Sequence, residues 1–300
     1  MNRNQAIFKI LHVNIRSIKT KQKQILLKNL INKHDPDIIS LNETYLTNKS
    51  KLQIEGFDII RADRIAKKGG GAALCIKTQL IYKEIFLGNI SGPDDACGLT
   101  VISGNQSISI FSIYSPPKAP LNQALFAKIT ADHKHYIITG DLNGLNKLWN
   151  CKTENKYGRD LEDLINRQSL QILNNGSITY PRGKSVLDLT LTSRSLAQYK
   201  HTFTVLNDQI SDHQPTLVTI KNIKCARRKI TFKKTDWDRY TELLSLGNKT
   251  PLQINSRLGH SRQRPDFQYT TSPARLDKEH KGHSKAQGDN EHIRQTAKAN

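Results

Sequence analysis

Over its first 220 residues the chain is a succession of short apolar runs. Many alternate with polar positions at a period of two, and a few stretches show helical spacing instead. Ile7–Val13 reads as a strand that ends at Asn14. From Lys19 to Lys33 the apolar positions Ile25, Leu26, Leu30 and Ile31 fall on one helical face. The Asp35-Pro36 step stops that helix, because a residue before proline is pushed out of the helical region. Asp37–Asn42 reads as a short buried strand with Glu43 directly after it. Further strands are expected at 57–61, 72–76, 80–86, 98–102, 108–114, 135–139, 186–192, 202–206 and 214–220, and helices at 121–129 and 159–168. Gly69-Gly70-Gly71 supplies a turn or bulge before one of the strands. Short strands punctuated by helices, without regular strand–helix alternation, predict an α/β sandwich: two sheets face to face with helices outside.

The pattern stops after Ile220. Residues 221–234 hold seven Lys or Arg residues, Thr235–Leu244 reads as one capped helix containing Trp237, and 247–300 is polar and aperiodic, as in a disordered tail. The expected organisation is therefore a domain at 1–222, a basic linker with a short helix at 223–246, and a tail at 247–300. The formal net charge is +20, of which residues 1–222 carry +11 and the much shorter remainder +9. Such a balance favours polyanionic partners, nucleic acid before an anionic membrane. The four cysteines, Cys75, Cys97, Cys151 and Cys225, form no Cys-x-x-Cys pair, which argues against zinc and fits the free thiols of an intracellular protein. No basic segment followed by an apolar one opens the chain, and no apolar run approaches spanning length. Secretion and membrane insertion are disfavoured, and a nuclear or cytoplasmic protein is expected.

The candidate chemistry sits where apolar strands meet polar residues: Asn14, Glu43, Tyr114, Asp141 with Asn143, and Asp212-His213, with Asp188 inside a strand. Polar groups projecting from the ends of core strands are how a scaffold builds a site. Glu43 after a buried run is a candidate oxygen ligand for a hard divalent ion, which keeps several waters and needs only one or two carboxylates. In Gly140-Asp141-Leu142-Asn143 the glycine lets the backbone turn, and Asp141 and Asn143, two apart, can face one side. That carboxylate could orient or deprotonate a water, and the carboxamide could donate to it or to a phosphate. His213 beside Asp212, with Asp188 on a neighbouring strand, reads as an imidazole held by a carboxylate, a pairing that favours imidazolium. Plainer readings stand beside these: a solvated loop carboxylate, an Asp-Asn turn, an Asp188 on a solvent face, and a Tyr114 that merely packs at a loop start.

Taken in order, Asn14, Glu43, Tyr114-Ser-Pro-Pro, Gly-Asp141-Leu-Asn143, Ser185-Val-Leu-Asp188 and Ser-Asp212-His213 resemble the motifs of the endonuclease/exonuclease/phosphatase superfamily, across most of residues 7–220. That superfamily includes deoxyribonuclease I, apurinic endonucleases and inositol-polyphosphate phosphatases. His-Val-Asn14-Ile-Arg16-Ser17, the stretch from Gly140 through Trp149 to Gly158-Arg159, and Ser185-Val-Leu-Asp188-Leu-Thr-Leu-Thr-Ser are similar to the endonucleases of LINE-type (non-LTR, jockey-like) retrotransposons. Phe232–Leu244 is similar to the linker that leads to reverse transcriptase in such elements.

The resemblance implies a four-layered α/β sandwich with mixed sheets and a Mg²⁺-dependent enzyme, with Mn²⁺ as a substitute. It implies nicking of double-stranded DNA to leave a 3′-hydroxyl. By the same resemblance Glu43 binds the metal, with Asp212 supporting metal or water. Asp141, assisted by Asn143, activates or positions water, and Asn14 and Tyr114 hold the scissile phosphate. His213, paired with Asp188, stabilises the transition state, and Thr179 and Ser185 contact phosphate. Element RNA or a reverse transcriptase domain would be partners in the parent element. The chain departs from the pattern at Arg16, where apurinic endonucleases carry an acid, and at Leu142, where phenylalanine is expected. No reverse transcriptase follows Leu244, which reads as a truncated or frame-shifted copy. Two other readings remain open: a phosphatase of the same fold, and an inactive remnant or basic nucleic-acid-binding protein.

Overall fold

The period-two runs become strands because each can bury one face against a sheet and the other against a helix. The computed structural model describes residues 6–64, 69–88 and 92–228, with Asp236, Asp238 and Thr241. Contacts divide the chain into two units, Met1–Phe232 and Lys233–Asn300, and the fold below is that of the first. Among the described residues the elements run β1 (Ile7–Asn14), α1 (Lys21–His34), β2 (Ile38–Asn42), β3 (Phe57–Ala62), β4 (Ala72–Lys77), β5 (Tyr82–Ile85), β6 (Asp95–Ser103), β7 (Gln106–Tyr114), α2 (Gln123–Asp132), β8 (Tyr136–Asp141), α3 (Lys156–Gln168), β9 (Gln171–Ile172), β10 (Asp188–Thr192), α4 (Arg194–Ala197), β11 (His201–Val205) and β12 (Thr216–Lys221). They form two six-stranded sheets, ordered β11-β12-β1-β2-β4-β3 and β5-β6-β7-β8-β10-β9. Each is mixed, since β1–β2 and β7–β8 pair in parallel and their neighbours antiparallel.

Alternation along the strands builds four layers. In β1, Leu11 and Val13 pack on Leu27 and Leu30 of α1, whereas Phe8 and Ile10 face the second sheet and meet Leu99, Ile110 and Ile137. On the far side of the second sheet Phe111, Ile138 and Leu189 pack on Phe126 of α2 and Leu161 of α3. Each such side chain contributes roughly 1.5–3 kcal/mol by burial, so the repeat itself drives the stacking. The expected α/β sandwich is the observed one.

Local departures have local causes. The helix expected from 159 begins at Lys156, because the Asn155 side chain caps it by accepting the Gly158 N–H at 2.7 Å. Gly158 lies inside the helix, where an added Cβ would stand 1.9 Å from the Leu145 carbonyl oxygen. The helix stop at Asp35 is realised in a left-handed conformation, φ 47°. The strand expected at 80–86 shortens to Tyr82–Ile85, and the one expected at 98–102 begins at Asp95. Cys75, Cys97, Cys151 and Cys225 are free thiols. No helix of the described residues is long and apolar enough to cross a membrane. The helix expected at 235–244 lies, but for Asp236, Asp238 and Thr241, outside the described residues, and the tail at 247–300 lies wholly outside them.

Candidate active site

Four strands show how the site arises. Inward-facing positions of β1 run Phe8, Ile10, His12, Asn14, and those of β2 run Ile38, Ser40, Asn42. Those of β7 run Ile108, Ile110, Ser112, Tyr114, and those of β8 run Ile137, Thr139, Asp141. The layer between the sheets is thus apolar at one end and polar at the other. The registers align the polar ends: Asn14 lies opposite Asn42, Asp141 opposite Asp188, and Tyr114 opposite Asp95. Burying a carboxylate costs several kcal/mol unless hydrogen bonds compensate it, and the compensation here is extensive.

One amide ties two carboxylates together. The Asn14 Nδ2 donates to Glu43 Oε1 at 2.9 Å and to Asp141 Oδ2 at 2.8 Å. The Tyr45 hydroxyl donates to the other Glu43 oxygen at 2.6 Å. Asp141 also accepts the Asn143 backbone N–H at 3.2 Å. Across from it, Asp188 Oδ2 meets His213 Nδ1 at 2.8 Å, leaving His213 Nε2 3.9 Å from Asp141 Oδ2. The Tyr180 ring packs on the His213 ring with centroids 4.7 Å apart. Ser211 holds the loop by donating to the Asn14 carbonyl and accepting the His213 N–H. Arg16, Glu43 and Asn143 all have positive φ (46°, 52° and 49°), a conformation uncommon outside glycine. Each follows a site strand closely, so the chain turns sharply there and accepts strain of about 1–3 kcal/mol per residue.

The charges are poised. Burial raises the Asp141 pKa, the Asp188 carboxylate raises it further, and His213 and the Asn14 amide only partly offset this. For Asp188 the burial penalty is outweighed by His213 and His12, which hold it well below the usual carboxylate range. Burial alone would lower the His213 pKa, but Asp188, Asp141 and Asp212 together lift it to about 9. A group whose folded pKa exceeds its unfolded value stabilises the fold by holding a proton, and that contribution is lost as pH rises through the folded value. For His213 the window runs from 6.5 to about 9, and the raised Asp141 works in the same direction. Metal-free stability, read by urea unfolding in EDTA, is therefore expected to fall between pH 6.5 and 9. The His213 share of the fall should reach at most about 3 kcal/mol and disappear in His213→Asn. A flat profile would contradict the charged imidazole.

Asn14, Glu43, Asp141, Asp188 and His213 thus converge as the sequence suggested, and Asp188 faces inward, not solvent. Tyr114 is buried beneath the Arg64 guanidinium, 5.1 Å from its ring centroid. Burial, Glu43 and Asp141 push its pKa up, which keeps the phenol a donor. The Asn143 carboxamide donates to the Ser115 carbonyl at 2.9 Å, so it is the backbone of Asn143, not its amide, that reaches Asp141. Asp212 is ion-paired with Arg16 at 2.8 Å. Thr179 is fully buried, and its hydroxyl accepts the N–H of Leu187 and of Asp188 at 3.0 and 3.1 Å. Ser185 pairs by its backbone with Tyr180 and is buried. Gly140 does not serve a turn: it lies within β8, opposite Leu189, and its role is close approach to β7. Sequence reasoning missed Tyr45, Arg64 and, most notably, His12, whose Nε2 lies 3.0 Å from Asp188 Oδ1. The signal for His12 was its position, two residues before Asn14 on the same face.

Asp141, Asp188 and His213 also bring potential ligand atoms within 4.8 Å of one another. Both Asp188 oxygens are already engaged by imidazoles, so this trio is better described as a hydrogen-bonded assembly than as a vacant cage.

Residues 108–217 match a family model described as Endonuclease-reverse transcriptase. Among solved structures, the endonuclease domain of TRAS1, a telomere-specific non-LTR retrotransposon, superposes with TM-score 0.61 at 17% identity, over 73% of this chain and 100% of that one. This chain carries the endonuclease/exonuclease/phosphatase fold. The AP endonuclease LMAP from Leishmania major gives TM-score 0.57 at 14% identity, covering 72% of this chain and 88% of that one. The 3′-5′ exonuclease NExo from Neisseria meningitidis gives 0.53 at 18%, covering 70% and 98%. No curated protein sequence matches. The family model over residues 108–217 and the fold shared with the TRAS1 endonuclease agree with the resemblance to LINE-type endonucleases read from the motifs.

Proposed function

We propose that this domain is a divalent-metal-dependent endonuclease that nicks double-stranded DNA and leaves a 3′-hydroxyl, derived from a LINE-type retrotransposon. The observation that carries the reading is the single Asn14 amide joining Glu43 to Asp141, facing a His213 that Asp188 holds. The catalytic domain would span 1–222, with 223–246 as a basic linker.

The residues fit a hard cation. Glu43 is half-buried with lone pairs to spare, it shares a donor with Asp141, and burial and Asp188 already destabilise the Asp141 charge. Such crowding of carboxylates calls for a positive partner, and all the donors are oxygen, as Mg²⁺ or Mn²⁺ prefers. Glu43 would hold the ion, and Asp212 could join it only by sharing or releasing Arg16. When bound, the cation supplies neutralisation of the phosphate and leaving oxygens.

The protein's own part follows from the geometry. Asp141, with a raised pKa, orients a water and takes its proton. The water oxygen attacks phosphorus, the bond to the 3′ oxygen breaks with its electron pair going to that oxygen, which takes a proton from solvent to become the 3′-hydroxyl, while phosphate stays on the 5′ side. Imidazolium His213 stabilises the charge that builds on the phosphoryl oxygens, and Asp188 keeps its ring oriented. The Asn14 amide, by releasing one of the two carboxylates its N–H groups meet, and the Tyr114 phenol, which feels the charge of both, would hold the phosphate. Thr179 acts at one remove, by fixing the Asp188 backbone. The net positive charge supplies affinity for the phosphate backbone without sequence choice.

The test is incubation of supercoiled plasmid with the full chain in Mg²⁺ or in EDTA, alongside a small phosphomonoester. Metal-dependent conversion to nicked circles with polymerase-extendable ends is expected. A folded, DNA-binding chain that never nicks would sink the reading, and phosphomonoester hydrolysis with indifference to DNA would replace it with a phosphatase.

A further inference from the structure

A buried chain of hydrogen bonds leaves the active site at one aspartate and returns at another. The Asp141 N–H donates to Asn42 Oδ1 at 2.7 Å. The Asn42 amide donates to Ser112 Oγ at 3.1 Å, Ser112 and Ser40 hydroxyls meet at 2.8 Å, and Ser40 Oγ lies 3.0 Å from His12 Nδ1. The other ring nitrogen of His12, Nε2, ends the chain at Asp188 Oδ1, 3.0 Å away. Every member is at most 1% exposed, so water does not compete. The path crosses repeatedly between the sheets, from β8 to β2, β7, β2, β1 and β10, using only inward-facing positions.

The two ends fix the outer bonds, and the need to pair the buried hydroxyls fixes the middle ones. A backbone N–H can only donate, and an ionised carboxylate can only accept. Asn42 therefore presents its carbonyl to Asp141 and its amide to Ser112. Among the described residues Ser40 Oγ is the acceptor within reach of the buried Ser112 hydroxyl, so the arrangement that leaves no buried O–H unpaired has Ser112 donating to Ser40 and Ser40 donating to His12 Nδ1. His12 is left with its proton on Nε2, pointing at Asp188. Aligned donors of this kind reinforce one another in a low-dielectric interior.

We propose that His12 is a positioning residue for the reaction, held by this relay as the neutral Nε2–H tautomer. It occupies the second oxygen of Asp188, so that the first meets His213 in one fixed orientation. A neutral ring suits this task. It satisfies a buried carboxylate oxygen without supplying a second positive charge to share the carboxylate that His213 needs. The inference rests on the hydrolytic reading for its kinetic consequence, but not for the tautomer.

The experiment uses the full chain. Long-range ¹H–¹⁵N spectra of the histidine rings are expected to show His12 neutral with the proton on Nε2, and to shift at His12 in Ser40→Ala. His12→Leu removes the donor and should lower kcat for nicking by about 10–100-fold with little change in KM. His12→Gln keeps an N–H toward Asp188 and should recover most of that loss, at a melting temperature similar to that of His12→Leu. A His12 protonated on Nδ1 or on both nitrogens would overturn the proposal, as would a Gln variant no better than Leu. A chain that shows the Nε2–H form but does not nick would count against the nuclease, not the relay.

Discussion

Asp141→Ala should abolish metal-dependent nicking, by about 10³-fold or more, while leaving the domain folded and able to bind DNA. The size follows from its position: Asp141 shares the Asn14 amide with Glu43, faces His213 Nε2 at 3.9 Å, and has its pKa raised into a range useful for a base. The folded state should not suffer in proportion. Burial already penalises this carboxylate and Asp188 repels it, so its removal relieves a cost that the site bears for function. Thermal stability at neutral pH is expected to hold or rise. His213→Ala should fall by a similar factor, and the double variant by little more than either alone, since groups that act as one unit are not additive. Plasmid nicking measured beside fluorescence anisotropy on labelled duplex separates turnover from binding. Activity within tenfold of the wild type in Asp141→Ala would remove this residue from the chemistry.

Gly140→Ala, one residue away, should fail for a different reason. A Cβ at this position would stand 1.8 Å from the Ile113 carbonyl oxygen, 2.8 Å from its carbon and 3.0 Å from Asn42 Oδ1. The obstacle is backbone in the adjacent strand β7, which pairs with β8 and cannot step aside as a flexible side chain would. Overpacking a core costs typically 1–3 kcal/mol, and a clash against backbone belongs at or beyond the top of that range, at about 3 kcal/mol or more. In a domain of this size that lowers the melting temperature by roughly 10 °C. Activity is lost too, because β8 carries Asp141 and the Asn42 contact anchors its N–H. The pair of variants is diagnostic: one inactive and stable, the other inactive and unstable. A Gly140→Ala chain that melts with the wild type would mean that β7 and β8 separate more easily than their pairing implies.

Much of the site is legible in the amino-acid sequence because of where its residues fall. Asn14, Glu43, Tyr114 and Asp141 stand at or just past the ends of apolar runs, and a polar residue at the end of a core strand has few places to go but the rim of the sandwich. The existence of the longer strands and helices followed from period, and the Asp35 stop from proline sterics. What escaped was what depends on which face meets what. His12, Ser40 and Ser112 alternate with apolar neighbours in the same way that solvent-facing residues do. Only the second sheet, brought over their face, turns them into a buried relay. Asp188 carried the same ambiguity, and its inward direction was decided by His12 and His213, 176 and 25 positions away in the chain. Gly140 read as a turn because its neighbour in space, the Ile113 carbonyl, is not a neighbour in sequence. Arg16 read as a departure from the acid that apurinic endonucleases carry, and its pairing with Asp212 emerged only once the loops after β1 and before β12 closed on each other. The sequence by itself determined most of the elements, their order and the polar ends of the strands, since these rest on local periodicity and backbone sterics, whereas the short β9 and α4 had no period to announce them. Tertiary structure alone decided which polar face is buried, which groups share a proton and which glycine is a contact, since each rests on the approach of segments far apart along the chain.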